Sequence, residues 1–226
     1  MFFLCKVIKK IVLLVIRGVL MKRKYIIIIC SLVICLLVGI LSYLFLTVDD
    51  KDSDGKKFKE EYSYIEIDED NPFVYKSASD IVDLIKNKDT FLVYFGYPED
   101  EKVKELLPKI VSTIKSNDKV YYVNLKKIRN EVIFNGTELE TVKIGTQGYY
   151  DLLDILNDLL GNYNVKNDKG KNLDAGKRIE APTVLAVVKG EAIKLVDTRS
   201  KDFEKDLNGV INEIKLSSMC DEETAC

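Results

Sequence analysis

Three groups of residues in this chain have types and spacings that carry chemistry. Cys220 and Cys226 close the sequence in MCDEETAC. Two thiols so near each other outside a reducing compartment are expected to oxidise. Closing so short a loop is worth roughly 2 kcal/mol on a chain-entropy argument, so a structural clip is one reading and a redox pair another. A metal site is the weaker reading, because two sulfurs stand there with no histidine to help. Asp50, Asp52, Asp54, Gly55 and Glu61, in DKDSDGKKFKEE, match the spacing of an EF-hand calcium loop. Lys57 occupies the place after the midpoint where such loops are apolar, and neighbouring lysines dilute the charge. A solvated charged segment is therefore expected there, with calcium binding the disfavoured alternative. Glu99, Asp100 and Glu101 form the third group. No acid-base partner is identifiable for them, and carboxylates that open a helix gain about 0.3 to 1 kcal/mol each from the macrodipole.

Composition removes several classes. The 226 residues carry 34 lysines and arginines against 36 acids, and no histidine. The Ser-His and Cys-His dyads and every imidazole zinc site are thereby excluded. Balanced charge without a basic stripe argues against nucleic acid. Nothing calls for a cofactor.

The run from Tyr25 to Val48, YIIIICSLVICLLVGILSYLFLTV, holds no charge. As a helix it would be roughly 36 Å long, enough for a hydrocarbon core of about 30 Å. Lys22, Arg23 and Lys24 precede it while Asp49 and Asp50 follow. The positive-inside rule puts residues 1–24 in the cytoplasm and everything after 48 outside. No small-x-small cleavage site follows the run, so an uncleaved anchor is expected. Cys5, Cys30 and Cys35 fall in or before it, as apolar fillers. Lys6, Lys9, Lys10 and Arg17 make a second span within 1–20 unfavourable. Arg17 to Met21 can be encoded by AGA GGA GTA TTA ATG, a ribosome-binding sequence before a start codon, so translation is expected to begin at Met21.

The remainder must position whatever chemistry there is. Residues 49–71 are charged and poor in apolar side chains, and read as a stalk. Phe73 to Tyr75 read as a short strand, and Ser77 to Asn87 as a helix capped by Ser77. Thr90 to Gly96, TFLVYFG, is apolar throughout, as a strand buried on both faces should be. Val103, Leu106, Leu107, Ile110, Val111 and Ile114 then recur at helical spacing around Pro108. A strand over Lys119 to Leu125 completes a right-handed parallel crossover. A helix over Gly148 to Leu160 follows, then a loop or hairpin over Asn164 to Gly176. Two strands joined at Lys189-Gly190-Glu191 precede a closing helix through Phe203, Leu207, Val210, Ile211 and Ile214.

YFGYPEDEKVKELLP, residues 94–108, resembles the active-site strand and helix of thioredoxin-like proteins, in particular membrane-anchored ones of Gram-positive bacteria. Tyr94, Phe95, Gly96, Pro98 and Pro108 fall in register with that pattern, and Ala181-Pro182-Thr183 resembles its cis-proline loop. The resemblance implies a thioredoxin-like α/β fold, a central mixed sheet flanked by helices, over 72–219 ahead of the tail 220–226. It also implies that Asp100 and Val103 stand where the redox cysteines would be, so the catalytic dithiol is vacant. What remains is a peptide-binding loop at Ala181 and Pro182, where backbone groups could pair with an extended segment; the other reading is that the loop only turns the chain. The expected role is a non-catalytic, extracytoplasmic domain that binds a protein or peptide. The alternative is a thiol-disulfide oxidoreductase that works through Cys220 and Cys226 or with an active paralogue.

Overall fold

A computed structural model describes Val33 and residues 51–114 and 118–222, with side chains over 54–114 and 118–217. The expected span 25–48, apart from Val33, and the residues before it, Met21 included, lie outside the described residues. So do Asp49, Asp50 and Cys226. Among the described residues no helix is long and apolar enough to cross a membrane.

Strand β2 (Phe91–Gly96) is buried at every position, which a strand with helices over both faces requires. It lies third in a five-stranded mixed sheet. We label the others β1 (Phe73–Tyr75), β3 (Val120–Asn124), β8 (Thr183–Val188) and β9 (Glu191–Asp197). The order is β1-β3-β2-β8-β9, with β3 parallel to both β1 and β2, and β8 antiparallel to β2 and β9. The result is an α/β fold with a mixed central sheet and flanking helices, compatible with the layout expected from the resemblance.

The helices follow from the connections. Helix α2 (Ala78–Lys86) starts at the predicted Ser77, which closes a capping box with Asp80. Helix α3 (Glu101–Thr113) continues through Pro108 and buries Val103, Leu106, Leu107 and Ile110. The crossovers β1-α2-β2 and β2-α3-β3 run in opposite directions along the sheet, so right-handedness sends α2 and α3 to opposite faces. Helix α5 (Gln147–Ile155) packs on α2, where a Cβ on Gly148 would meet Ser79 Oγ at 2.5 Å. Helix α6 (Phe203–Glu222) lies with α3, tied by Lys109–Glu204 at 3.1 Å. A short helix α4 (Leu125–Ile128) and two ribbons, β4 (Glu131–Phe134) with β5 (Leu139–Lys143) and β6 (Asn162–Lys166) with β7 (Asn172–Lys177), fill the interval between β3 and β8.

The stalk expected over 49–71 is not what the described part of this segment forms. Lys51–Glu61 is helix α1, part of the compact unit that holds the sheet. Phe58 and Tyr62, one helical turn apart, are fully buried. The Phe58 ring stacks on Phe73 at 4.0 Å and meets Tyr122 edge-on at 5.0 Å. Two aromatic side chains thus outweigh a charged composition, since each buries enough apolar area to fix the helix. Gly55 permits the return of the chain, because a Cβ there would sit 2.3 Å from the Glu69 carbonyl. Asn71 then locks the turn by donating to the Gly55 and Asp68 carbonyls at 2.7 and 2.8 Å. Phe58→Ala should cost about 3 to 5 kcal/mol, whereas the exposed Lys56→Ala should stay within about 0.5 kcal/mol. Urea unfolding followed by far-ultraviolet circular dichroism checks this; equal and negligible effects would restore the stalk.

Candidate functional site

The carboxyl ends of parallel strands are where open α/β sheets usually bind ligands, and here the ends of β2 and β3 meet α1, the start of α3 and the chain before β8. Asp100 is the N-cap of α3: its Oδ1 accepts from the backbone N–H groups of Lys102 and Val103 at 2.9 and 3.2 Å. Its Oδ2 accepts from the Tyr97 hydroxyl at 2.8 Å. Val103 is fully buried one turn later. Glu99 pairs with Lys126 at 2.7 Å and Glu101 with Lys104 at 2.6 Å, and the lysine holds the Glu99 carboxyl below its ordinary range. The carboxylates of this corner therefore cap and pair.

Phe95 pairs with Thr183, so the end of β2 leaves the sheet beside the Ala181–Pro182 bond, which is cis. Ala181 is 6% exposed and Pro182 is also buried. Tyr97, Arg129 and Arg178 are half-buried. Arg129 follows α4 and lies over the Tyr97 ring, 4.8 Å from its centroid, while donating to the Tyr97 hydroxyl at 2.8 Å. Arg178 precedes the loop and lies over the Tyr163 ring at 4.2 Å. Between these elements Tyr149 is fully buried, and its hydroxyl accepts from Ile179 N–H at 3.4 Å.

A second constellation fills the space under α1. Glu61 accepts from the Tyr122 hydroxyl at 2.9 Å, from Asn124 Nδ2 at 2.6 Å, and from the Tyr75 hydroxyl. The Tyr62 hydroxyl donates to Tyr122 Oη at 3.0 Å. Tyr94 stacks on Tyr122 at 5.7 Å, and among the described residues its buried hydroxyl makes no hydrogen bond of good geometry. That hydroxyl takes the place of a Gly96 side chain: a Cβ there would lie 2.3 Å from it. Burial pushes the Tyr62, Tyr94 and Tyr122 phenols well above their ordinary range. Tyr64 is pushed up to about 12, first by burial and then by Asp100, Glu101 and Glu99. The turn after α1 therefore sits near the start of α3.

This geometry reassigns the EF-hand pattern. Asp54 and Glu61 lie on a helix instead of a looped chain; Asp54 Oδ2 accepts from Tyr75 N–H at 3.0 Å, and Glu61 serves the tyrosines. Asp52 lies in α1 and Cys220 in α6, their side chains outside those described, and Cys5, Cys30, Cys35, Asp50 and Cys226 lie outside the described residues altogether. Sequence reasoning missed the tyrosine cluster, Arg129 and Arg178. Phe58 and Tyr62 at helical spacing were the available signal for the first; nothing local announces the two arginines.

The raised phenols make stability pH-dependent. Unfolded tyrosines lose their protons near pH 10 while the buried ones keep theirs, so above that pH the folded state binds more protons and stability falls. Their contribution is whole below about pH 10 and is lost as pH rises through the folded values. Absorbance at 295 nm should show the buried tyrosines ionising only as the chain unfolds, at higher pH than in urea; superimposable titrations would contradict their burial. No protein-family model, curated protein or solved structure matches this chain, so what the site does rests on its own residues.

Proposed function

We propose that this chain is a membrane-anchored, extracytoplasmic domain of thioredoxin-like fold that binds an extended protein segment and performs no dithiol exchange. The strand order and the cis Ala181–Pro182 bond next to the end of β2 support the fold reading. The run Tyr25 to Val48, with Lys22 to Lys24 before it and acids after it, supports the anchor and its orientation.

One observation carries the functional reading. Exchange requires a thiolate at a helix N-terminus, activated by the macrodipole and by backbone donors. Here those donors, the N–H groups of Lys102 and Val103, are taken by the Asp100 carboxylate. Asp100 is a satisfied cap and Val103 a core residue, while the rim of Tyr97, Arg129 and Arg178 stays partly open. A binding surface survives in the absence of the reactive pair.

The full chain should therefore give no insulin reduction with dithiothreitol above background. Turnover that disappears in Cys220→Ser would replace this reading with the oxidoreductase one. Asp100→Cys with Val103→Cys should create a reducible disulfide, and failure to form it would overturn the register. Topology has its own test: protease added to intact cells should remove the residues beyond Val48, and full protection of the domain would refute the outward orientation.

A further inference from the structure

We infer that Arg129 and Arg178 form a carboxylate-binding subsite on the rim of the cis-proline loop, and that its occupant is an acidic side chain of an extended peptide. This rests on the binding role proposed above and specifies its chemistry. The charges at this corner do not cancel locally. Glu99 is matched by Lys126, Glu101 by Lys104, and Asp100 by its cap hydrogen bonds. Among the described residues neither arginine has a carboxylate within ion-pair distance. Arg129 spends one N–H on the Tyr97 hydroxyl, and among the described residues Arg178 Nε is buried with no hydrogen-bond partner.

Two features orient the pair. Each guanidinium lies over a tyrosine ring, Arg129 4.8 Å from the Tyr97 centroid and Arg178 4.2 Å from that of Tyr163. Stacking of this kind holds the planar fork in place while leaving its edge to bond a carboxylate with two parallel N–H donors. The arginines also converge on one buried phenol. Ile179, next to Arg178, donates to Tyr149 Oη at 3.4 Å. The segment carrying Arg129 reaches the other side of the same ring by way of Gly145, whose Cβ would be 3.1 Å from Asn130 N, Ile128 O and Tyr149 Cδ1 alike. Both cations, and Glu180 with opposite sign, act on the Tyr149 hydroxyl. Glu180 also acts on Arg199, which is paired with Asp197. Arg129 lies on the segment that leads into β4 and Arg178 on the one that leads out of β7 toward Pro182. An extended segment crossing that loop would pass both.

The test uses three short fluorescein-labelled peptides titrated into the full chain in detergent micelles, with anisotropy as readout. One alternates alanine and glutamate and ends in an amide, one replaces glutamate by glutamine, and one is the glutamine peptide with a free C-terminal carboxylate. The glutamate peptide should bind saturably and about tenfold more tightly than the other two, as a charge-assisted bidentate contact warrants. Arg129→Gln and Arg178→Gln should each weaken it by about tenfold, whereas Lys166→Gln on the β6–β7 ribbon should leave it within about twofold. Glutamate and glutamine peptides that bind alike would overturn the subsite and leave the binding role standing. Preference for the free terminus, or indifference to both arginines, would overturn it too. Failure of all three peptides would overturn both readings. The comparison among peptides on the unaltered chain holds even where a variant fails to fold.

Discussion

Strand β2 must be apolar on both faces, and most of the arrangement follows from that demand. A strand buried throughout can satisfy its backbone only through neighbours on both sides, which β3 and β8 supply in parallel and antiparallel register. Because β3 returns between β1 and β2, the two crossovers put α2 and α3 on opposite faces. Because β8 runs antiparallel, its first residues lie beside the last of β2. The residues that lead from β2 to the Asp100 cap thus start beside the chain that leaves the Pro182 loop, whatever their side chains are.

The face of β2 that carries Tyr94 adds a polar problem to this apolar one. Tyr62, Tyr94 and Tyr122 bring three hydroxyls into a layer of stacked rings. A buried hydroxyl without a partner costs on the order of 1 to 3 kcal/mol. Glu61, half-buried at the end of α1, answers most of it by accepting from Tyr75, Tyr122 and Asn124, while Tyr122 accepts from Tyr62. Hence α1 does two jobs at once: Phe58 closes the apolar layer and Glu61 its polar edge. The helix that looked like a stalk completes the sheet.

Elements whose cause is local were legible in the sequence. Ser77 caps the helix it precedes, Phe73–Tyr75 is a strand, and Lys189-Gly190 turns a hairpin with Gly190 at a φ of 81°. Asp100 as a helix-start carboxylate was legible for the same reason. Elements fixed by distant partners were not. Helix α1 is mostly charged, and its two aromatics gain meaning only once Phe73 and Tyr122 are beside them. The β4–β5 ribbon buries no residue, so hydrophobic pattern was silent there, although Asn135-Gly136 is a turn signal. Arg129 and Tyr97 are joined across the fold with no pattern to link them.

The same distinction bears on what the site can do. A thiolate at the start of α3 would have to stay free to attack, whereas a carboxylate there is useful because it is bound. Asp100 accepts three hydrogen bonds and has no role left over. Its hold on Tyr97 nevertheless reaches outward: Tyr97 is fixed from below by Asp100 and from its face by Arg129. The cap that occupies the place of the chemistry thereby fixes the platform on which the arginine rests. Glu99 and Glu101 meanwhile pair with Lys126 and Lys104. An acidic corner that satisfies itself internally leaves Arg129 and Arg178 with tyrosine rings as their described neighbours.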